Sequence, residues 1–305
     1  MNKGTGLIRA VGSTRTYDYS TICNIKDEDV PSEFMITYIP KVLDQGSVGS
    51  CVAHGIAENF QSNHLKNTGE MLDFSVLEIY GLWREDYKGD GMFIQTALDQ
   101  GRKIGTIPRR LAPENIEVPD AISKAKEYQE KYPKAFEFKI ANYFEIRKTT
   151  KFEINLKKAI MQFNLPVVIV RNAGSVFHCE IAIGWDKEGI ILQNSWGTDW
   201  GTAGTHHYKA KSLEEAYVVT MDPVKLPFAD VENHWSENYV RNAYFANVVD
   251  GYEDGTFRPD NFMTRAEVVK MIDSLMKIND EKNRKLEEEN RELKEEIKEL
   301  KNMIH

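Results

Sequence analysis

The sequence predicts an α+β protein in which a helix-rich first half precedes a strand-rich second half, followed by a small helical module and a charged helix. Apolar residues recur at helical spacing from Cys51 onward. Short β-branched segments punctuated by turns come later, as expected for neighbouring strands of one antiparallel sheet: LPVVIVR, FHCEIAIGWD and GIILQNSW. Beyond Met221 the composition changes, and the last stretch has a heptad pattern.

The first predicted helix begins at Cys51, in the segment QGSVGSCVAHGIAENF. A Gly/Ser-rich loop precedes it, and apolar residues from Val52 to Phe60 form an amphipathic stripe. Unpaired backbone N–H groups and the positive end of the helix dipole stabilise a thiolate at this position. Cys51 is therefore a candidate nucleophile.

Further elements are predicted between this helix and the sheet. Ser75 is a plausible N-cap of a second helix, and a third follows the Gly-rich turn GDG and ends near Gly101. A surface helix is expected between Pro119 and Pro133. After it, AFEFKIANYFEI has strand character and KFEINLKKAIMQF has helical spacing.

Two later residues complete a recognisable set with Gln45 and Cys51. His178 opens one apolar run, and Asn194 closes the next run, within NSWGTDWG. In type, order and spacing, these four residues resemble those of the papain-like cysteine peptidases. The resemblance implies a two-lobed papain-like fold, with the cysteine on a helical lobe and the histidine and asparagine on an antiparallel β lobe, across a cleft.

The resemblance also implies a mechanism of peptide-bond hydrolysis. Cys51 would attack the carbonyl, His178 would hold the thiol proton and deliver it to the leaving amine, and Asn194 would orient the ring. The Gln45 amide and the Cys51 backbone N–H would hold the oxyanion, and Trp196 would shield the histidine–asparagine bond. We expect no cofactor and no metal, because close pairs typical of zinc ligands are missing from the sequence.

The turn formed by Gly89, Asp90 and Gly91 is a candidate wall of the substrate cleft, since glycine lets an extended peptide come close. A plain interhelix turn is the alternative. Val48 stands where the family commonly has a cysteine, so that family disulfide is absent, and Val52 replaces a bulky aromatic residue. Both departures leave the catalytic groups in place.

After the linker DPVKLP, one stretch resembles a single S-layer homology repeat along its whole length, from FADV to TRAEVVKMI. Thr264 and Glu267 form a capping box that begins its second helix. Repeats of this family act as non-covalent anchors to cell-wall polysaccharide, and Trp235 and Arg265 are the candidate wall-binding residues. A repeat that only packs against its neighbours is the alternative.

The segment from Lys277 to His305 has the heptad pattern of a parallel coiled coil, with leucine at the d positions Leu286, Leu293 and Leu300. Asn283 and Asn290 at a positions favour a dimer, whereas the usual number of repeats in the family suggests a trimer. The sequence thus predicts a parallel homo-oligomer. A frayed single helix is the alternative, because about three heptads is short.

These features predict a cysteine endopeptidase domain over 1–222, an S-layer homology repeat over 223–276 and a coiled coil over 277–305. The expected partners are a protein or peptide substrate and bacterial cell-wall polysaccharide. Two other functions fit the same sequence. One is a peptidase that cuts peptidoglycan cross-links, and the other is a non-catalytic structural or adhesive protein of a cell surface or virion.

The overall composition excludes several other classes. A net charge of −8 over 305 residues argues against a general nucleic-acid binder. No apolar run approaches the roughly 20 residues that span a bilayer, and three cysteines do not describe a disulfide framework.

The N-terminal segment bears on location and regulation. The wall-binding repeat implies a cell-surface or extracellular location, yet the N-terminus lacks the apolar core of a secretory signal. Delivery as part of a bacteriophage virion, or an unrecognised export route, would resolve this conflict. The arm before about residue 40 is shorter than the inhibitory prosegments common in the family, so we do not expect a prosegment of that kind.

Overall fold

The computed structural model of the chain describes residues 7–8, 17–84, 89–112, 120–174, 176–221, 226–232, 234–245 and 248–304. The chain divides into two units, Met1–Val224 and Lys225–His305. The predicted linker DPVKLP is only partly covered, because residues 222–225 lie outside the described residues.

The helices of the first unit follow the predicted order. They are α1 (Cys51–Thr68), α2 (Val76–Leu82), α3 (Ile94–Lys103), α4 (Asp120–Lys131) and α5 (Phe152–Phe163). The predicted N-cap is confirmed, since the Ser75 hydroxyl accepts a hydrogen bond from the Glu78 N–H at 3.3 Å.

The strands of the first unit belong to one sheet. Four of them are short: β1 (Leu7–Ile8), β2 (Tyr17–Asp18), β3 (Phe34–Met35) and β4 (Met92–Phe93). The others are β5 (Ile140–Glu145), β6 (Val167–Asn172), β7 (Phe177–Asp186), β8 (Gly189–Gln193), β9 (Thr205–Tyr208) and β10 (Leu213–Met221). β10 pairs with β5 and β6, β6 with β7, β7 with β8 and β8 with β9, all antiparallel. The predicted antiparallel sheet and the α+β fold class are confirmed.

Helix α1 is the central element of this unit, and it packs against β7. A Cβ at Gly55 would lie 3.2 Å from the Cys179 sulfur on β7. The amphipathic stripe predicted for α1 understates its burial, because every residue from Cys51 to His64 is buried. Polar residues on the other faces of α1 form hydrogen bonds within the protein instead of with water. For example, the Asn59 side-chain amide donates to the Pro166 carbonyl at 2.9 Å.

The second unit contains α6 (Glu237–Phe245) and α7 (Arg265–Ile304). Its core is formed by Phe228, Val231 and Val240, with Leu226, Tyr244 and Phe257 packed against them. The predicted capping box is present, because the Thr264 N–H donates to the Glu267 carboxylate at 2.7 Å and the Glu267 N–H donates to the Thr264 hydroxyl at 3.2 Å.

Helix α7 continues without a break across residues 276 and 277. The predicted heptad region is therefore helical, although the side chains of Leu286, Leu293 and Leu300 lie outside what the structure describes. None of the described helices has an apolar run long enough to span a lipid bilayer.

Candidate active site

The imidazole of His178 and the carboxamide of Asn194 meet as the sequence predicts. His178 lies near the start of β7 and Asn194 directly follows β8, its antiparallel neighbour. His178 Nε2 lies 2.9 Å from Asn194 Oδ1, and both side chains are fully buried. Because Oδ1 can only accept, Nε2 carries the proton of this bond. The other ring nitrogen, Nδ1, is buried without a hydrogen-bond partner among the described residues.

Trp196 covers this hydrogen bond. Its ring stacks on the His178 imidazole, with centroids 4.8 Å apart and an interplanar angle of 26°. Trp200 packs edge-on against Trp196 at 5.1 Å. The aromatic pair excludes water from the histidine–asparagine bond and so strengthens it.

Gln45 is brought to the same loop by backbone pairing. The Gln45 N–H donates to the Ser195 carbonyl at 3.0 Å, and Asp44 and Trp196 form an antiparallel bridge. The Ser195 hydroxyl donates to Gln45 Oε1 at 2.6 Å. This bond fixes which end of the carboxamide is oxygen, and Nε2 points to the other side, where it donates to the Val48 carbonyl at 2.8 Å.

Cys51 is the first residue of α1 and is fully buried. Its N-cap, Ser50, makes no side-chain capping bond, so the helix N-terminus relies on other partners for its backbone N–H groups. Cys179, the residue after His178, faces α1 and interacts electrostatically with Cys51. Burial raises the pKa of the Cys179 thiol well above its usual value, and the nearby Cys51 adds to the shift. Cys179 is thus a neutral core residue.

Burial lowers the pKa of His178 below its ordinary value, while Glu180 and the bond to Asn194 act in the opposite direction. Glu180 is a residue that sequence reasoning missed. It lies two positions after His178 on β7 and therefore on the same face of the strand. A carboxylate within an otherwise apolar buried strand was the available signal.

Each of the three predicted cleft residues forms hydrogen bonds. The Gly89 carbonyl accepts from Arg84, and the Gly91 N–H donates to the Tyr80 hydroxyl at 3.2 Å. Asp90 is bonded through its side chain. Its carboxylate accepts from the Gly49 N–H at 3.0 and 3.2 Å and from the Tyr80 hydroxyl at 2.7 Å. Glycine at position 49 leaves room for this carboxylate, because a Cβ there would lie 2.6 Å from Asp90 Oδ1 and would displace it. Gly49 follows Val48, the position of the missing family cysteine. The Asp90 carboxylate therefore fixes the backbone of the loop before Cys51.

Replacing Asp90 with alanine should lower the free energy of unfolding by about 1–2 kcal/mol, the value of a charged hydrogen bond discounted for solvent exposure. Urea denaturation of the full chain measures this change. Asp29→Ala, which removes an exposed aspartate elsewhere, is the matched control and should leave the midpoint unchanged. Equal midpoints for the two variants would show that Asp90 does not brace the loop.

Glu58 braces the same region from inside α1. Its carboxyl is fully buried, and Oε1 accepts from the Leu43 N–H at 3.0 Å, two residues before Gln45. Burial raises the pKa of Glu58 to about 8, partly offset by hydrogen bonds from Leu43 and Gln193. Glu58 therefore holds a proton in the native state at neutral pH, whereas the unfolded chain releases it above about pH 4.5.

This proton makes a definite contribution to the pH dependence of stability. Between about pH 4.5 and 8 the native state binds one more proton at Glu58, so the free energy of unfolding falls as pH rises, by on the order of 5 kcal/mol in total. Glu58→Gln should remove this slope, as urea denaturation at pH 5, 6.5 and 8 would measure. Glu70→Gln, an exposed site, should keep the slope, and an unchanged slope in Glu58→Gln would contradict the assignment.

The predicted wall-binding residues belong to the second unit. Trp235 is 78% exposed, and its ring lies 5.5 Å from His234 and 6.4 Å from Tyr239. Arg265 is exposed at the first turn of α7. Among the described residues, no group of three or more His, Cys, Asp or Glu side chains is placed to hold a metal ion.

Comparison with known proteins places this fold and these residues in a family. The model of the papain family cysteine proteases matches residues 30–224, and the chain belongs to that family. It is a cysteine peptidase, a hydrolase. The S-layer homology domain model matches residues 227–269.

Individual relatives agree with both matches. A viral cathepsin of Adoxophyes honmai nucleopolyhedrovirus is 23% identical over 235 residues, covering 68% of this chain and 68% of the relative. The cellulosome-anchoring protein of Acetivibrio thermocellus is 39% identical over 49 residues, 16% of this chain and 11% of that protein. The structure of xylellain, a cysteine protease from Xylella fastidiosa, has a TM-score of 0.61 and 19% identity, covering 72% of this chain and 97% of its own. It supports the papain-like fold.

Proposed function

We propose that this chain is a cysteine endopeptidase in which Cys51 is the nucleophile, His178 the acid and base, and Asn194 the residue that orients the imidazole. The observation that carries this proposal is the buried 2.9 Å bond between His178 and Asn194 beneath Trp196. His178 lies on β7, the strand that packs against α1, and Cys51 is the first residue of α1. With Nε2 bonded to Asn194, the proton exchanged with the thiol is carried by Nδ1.

The reaction proceeds in two halves. The Cys51 thiolate attacks the carbonyl carbon of the scissile bond, and the resulting oxyanion is held by the Cys51 backbone N–H and the Gln45 amide. The carbon–nitrogen bond then breaks as His178 Nδ1 gives its proton to the leaving amine. In the second half, His178 Nδ1 takes a proton from water and the resulting hydroxide attacks the thioester carbon. The carbon–sulfur bond then breaks, which releases the carboxylic product and restores the Cys51 thiolate.

Two features support Gln45 as the oxyanion donor. Its carboxamide orientation is set by the Ser195 hydroxyl, and its backbone is tied to the loop that carries Asn194. Groups held in this way cost little reorganisation when charge develops on the substrate oxygen. Losing one such donor costs roughly 10²–10³ in rate in comparable sites.

We further propose that the second unit tethers the peptidase to bacterial cell-wall polysaccharide at a cell surface or on a virion. The cellulosome-anchoring protein that resembles this unit supports anchoring as its function. Exposed Trp235 offers a flat apolar face with a polar N–H, suited to a sugar ring. Arg265, exposed at the start of α7, supplies a cation for acidic groups of the polymer.

The chain is proposed to act as a parallel oligomer, dimer or trimer, through α7. The exposed apolar residues Val269, Ile272 and Met276 continue the heptad register of Asn283 toward the start of the helix, at positions a, d and a. Their exposed fractions are 65, 47 and 59%. An apolar stripe of this kind on one helix is stabilised when a second copy covers it.

Labelling with an epoxide inhibitor followed by peptide mass spectrometry tests the catalytic proposal. We expect covalent addition at Cys51, and strongly reduced addition in His178→Ala, because the thiolate loses its partner. Absence of labelling, with an intact fold, would indicate a non-catalytic surface protein. Parallel assays of casein cleavage and of turbidity loss in purified walls separate an endopeptidase from a peptidoglycan cross-link peptidase.

A further inference from the structure

A buried cluster of charged groups lies beside the Asn194 side of the imidazole. Glu180 Oε1 is 3.7 Å from His178 Nε2, the nitrogen that donates to Asn194. This distance is too long for a hydrogen bond but short for two charges. Both side chains are fully buried, so water screens the interaction very little.

Glu180 is held in place by two basic groups. The Arg171 guanidinium donates Nε to Oε2 and Nη2 to Oε1, both at 3.0 Å, in the two-pronged geometry typical of strong arginine–carboxylate pairs. His206 Nε2 lies 3.1 Å from Oε2. These three bonds hold the carboxylate in one orientation. Burial alone would raise the pKa of Glu180, but the bonds from His206 and Arg171 lower it below the ordinary value.

The antiparallel sheet builds this cluster from three strands. Arg171 on β6 is directly opposite His178 on β7, and Glu180 follows two residues later on the same face. His206 comes from β9, where it pairs with Leu192 of β8. The cluster is therefore part of the rigid framework that carries His178 and Asn194.

We propose that Glu180, held by Arg171 and His206, is a positioning residue that steadies the His178 ring and stabilises its protonated form. This inference rests on the proposed role of His178 in catalysis. The active ion pair requires a thiolate and an imidazolium, and a buried carboxylate near Nε2 favours the second of these. Asn194, a neutral group, orients the ring but supplies no full charge.

The other charged groups around His178 set the size of the effect. Arg171 from β6 opposes the imidazolium, as does His206 from β9 when protonated, and the Cys51 thiolate from α1 favours it. Glu180 acts more strongly on His178 than Arg171 does. A carboxylate at this distance shifts a pKa by about 1–3 units, and the opposing guanidinium places our expectation near the lower end, at about one unit.

Glu180→Gln in the full chain tests the proposal, because it keeps shape and removes charge. The alkaline limb of the pH profile for casein hydrolysis, measured below saturation, reports the imidazolium. We expect this limb to move down by about one pH unit, giving about tenfold lower rates on the alkaline side. Glu188→Gln, which removes an exposed charge from the turn after β7, should keep the wild-type profile.

Direct titration of the His178 ring by NMR in a Cys51→Ala background separates this inference from the proposed function. A lowered imidazole pKa in Glu180→Gln supports the inference even if no hydrolysis is found. An alkaline limb and an imidazole titration both within about 0.2 unit of wild type would overturn it, because a charge this close must be felt.

A second variant covers the case in which Glu180→Gln leaves Arg171 unpaired and unfolds the protein. The double variant Arg171→Gln and Glu180→Gln replaces a buried ion pair with two neutral amides, an exchange that proteins often tolerate. Because Glu180 outweighs Arg171 at His178, the limb should still move down, by less than in the single variant. A limb at or above the wild-type position would refute the proposal.

Discussion

Replacement of Cys51 with alanine is expected to lower casein hydrolysis by about 10⁴-fold or more, the scale of loss seen when a nucleophile of this kind is removed. The proposed mechanism has no other group that can form the acyl intermediate. Cys51 is buried at the first position of α1, where alanine is well tolerated. Initial rates on labelled casein, with circular dichroism to verify folding, measure the effect.

Cys23→Ala is the matched control, because Cys23 is a partly buried cysteine whose sulfur accepts a hydrogen bond from the Tyr19 hydroxyl at 3.3 Å. It should retain nearly all activity. If Cys51→Ala kept more than about a tenth of the wild-type rate, a loss far below the expected scale, the sulfur could not be the nucleophile. Hydrolysis would then need another explanation.

A chain that ends before Lys277 is expected to be monomeric and to bind purified walls about 10²–10⁴-fold more weakly than the full chain, the range that avidity supplies. It keeps the start of α7 and the core around Val231 and Val240, so each repeat should still fold. The remaining apolar stripe, Val269 to Met276, is too short for a stable coiled coil. Sedimentation equilibrium and wall pull-down at matched concentrations measure the two effects.

Fusing an unrelated parallel trimeric coiled coil after residue 276 is the control for this truncation, and it should restore wall binding without residues 277–305. Equal binding by the truncated and full chains would rule out avidity. A full chain that sediments as a monomer would remove the oligomer from the proposal, while leaving the binding of a single repeat to be measured.

Much of the fold and of the candidate site could be predicted from the sequence because the relevant signals are local. The Ser75 cap and the Thr264–Glu267 capping box depend on neighbouring residues, and both are present. The strands within residues 165–196 can be predicted from short β-branched runs and the turn residues between them. The identities of Cys51, His178 and Asn194 follow from short motifs, each attached to the end of a helix or strand, where a side chain is displayed toward a common site.

Other features required the tertiary structure. Gln45 meets Ser195 across 150 positions of the chain, and Asp90 meets Gly49 across 41. Glu180, Arg171 and His206 become one cluster only when three strands pair in a particular register. Neither the burial of α1 on all sides nor the pairing of β1 with β4 and β7 has a local signature.

The sequence by itself determined the helices and strands, and which reactive side chains lie at their ends. Only the tertiary structure decided which charged groups are buried together and which strands pair. The physical reason is that helix caps, turns and side-chain alternation depend on interactions between near neighbours, whereas electrostatic strength depends on burial and distance. Burial and distance are set by packing between segments far apart in the chain, which no short pattern records.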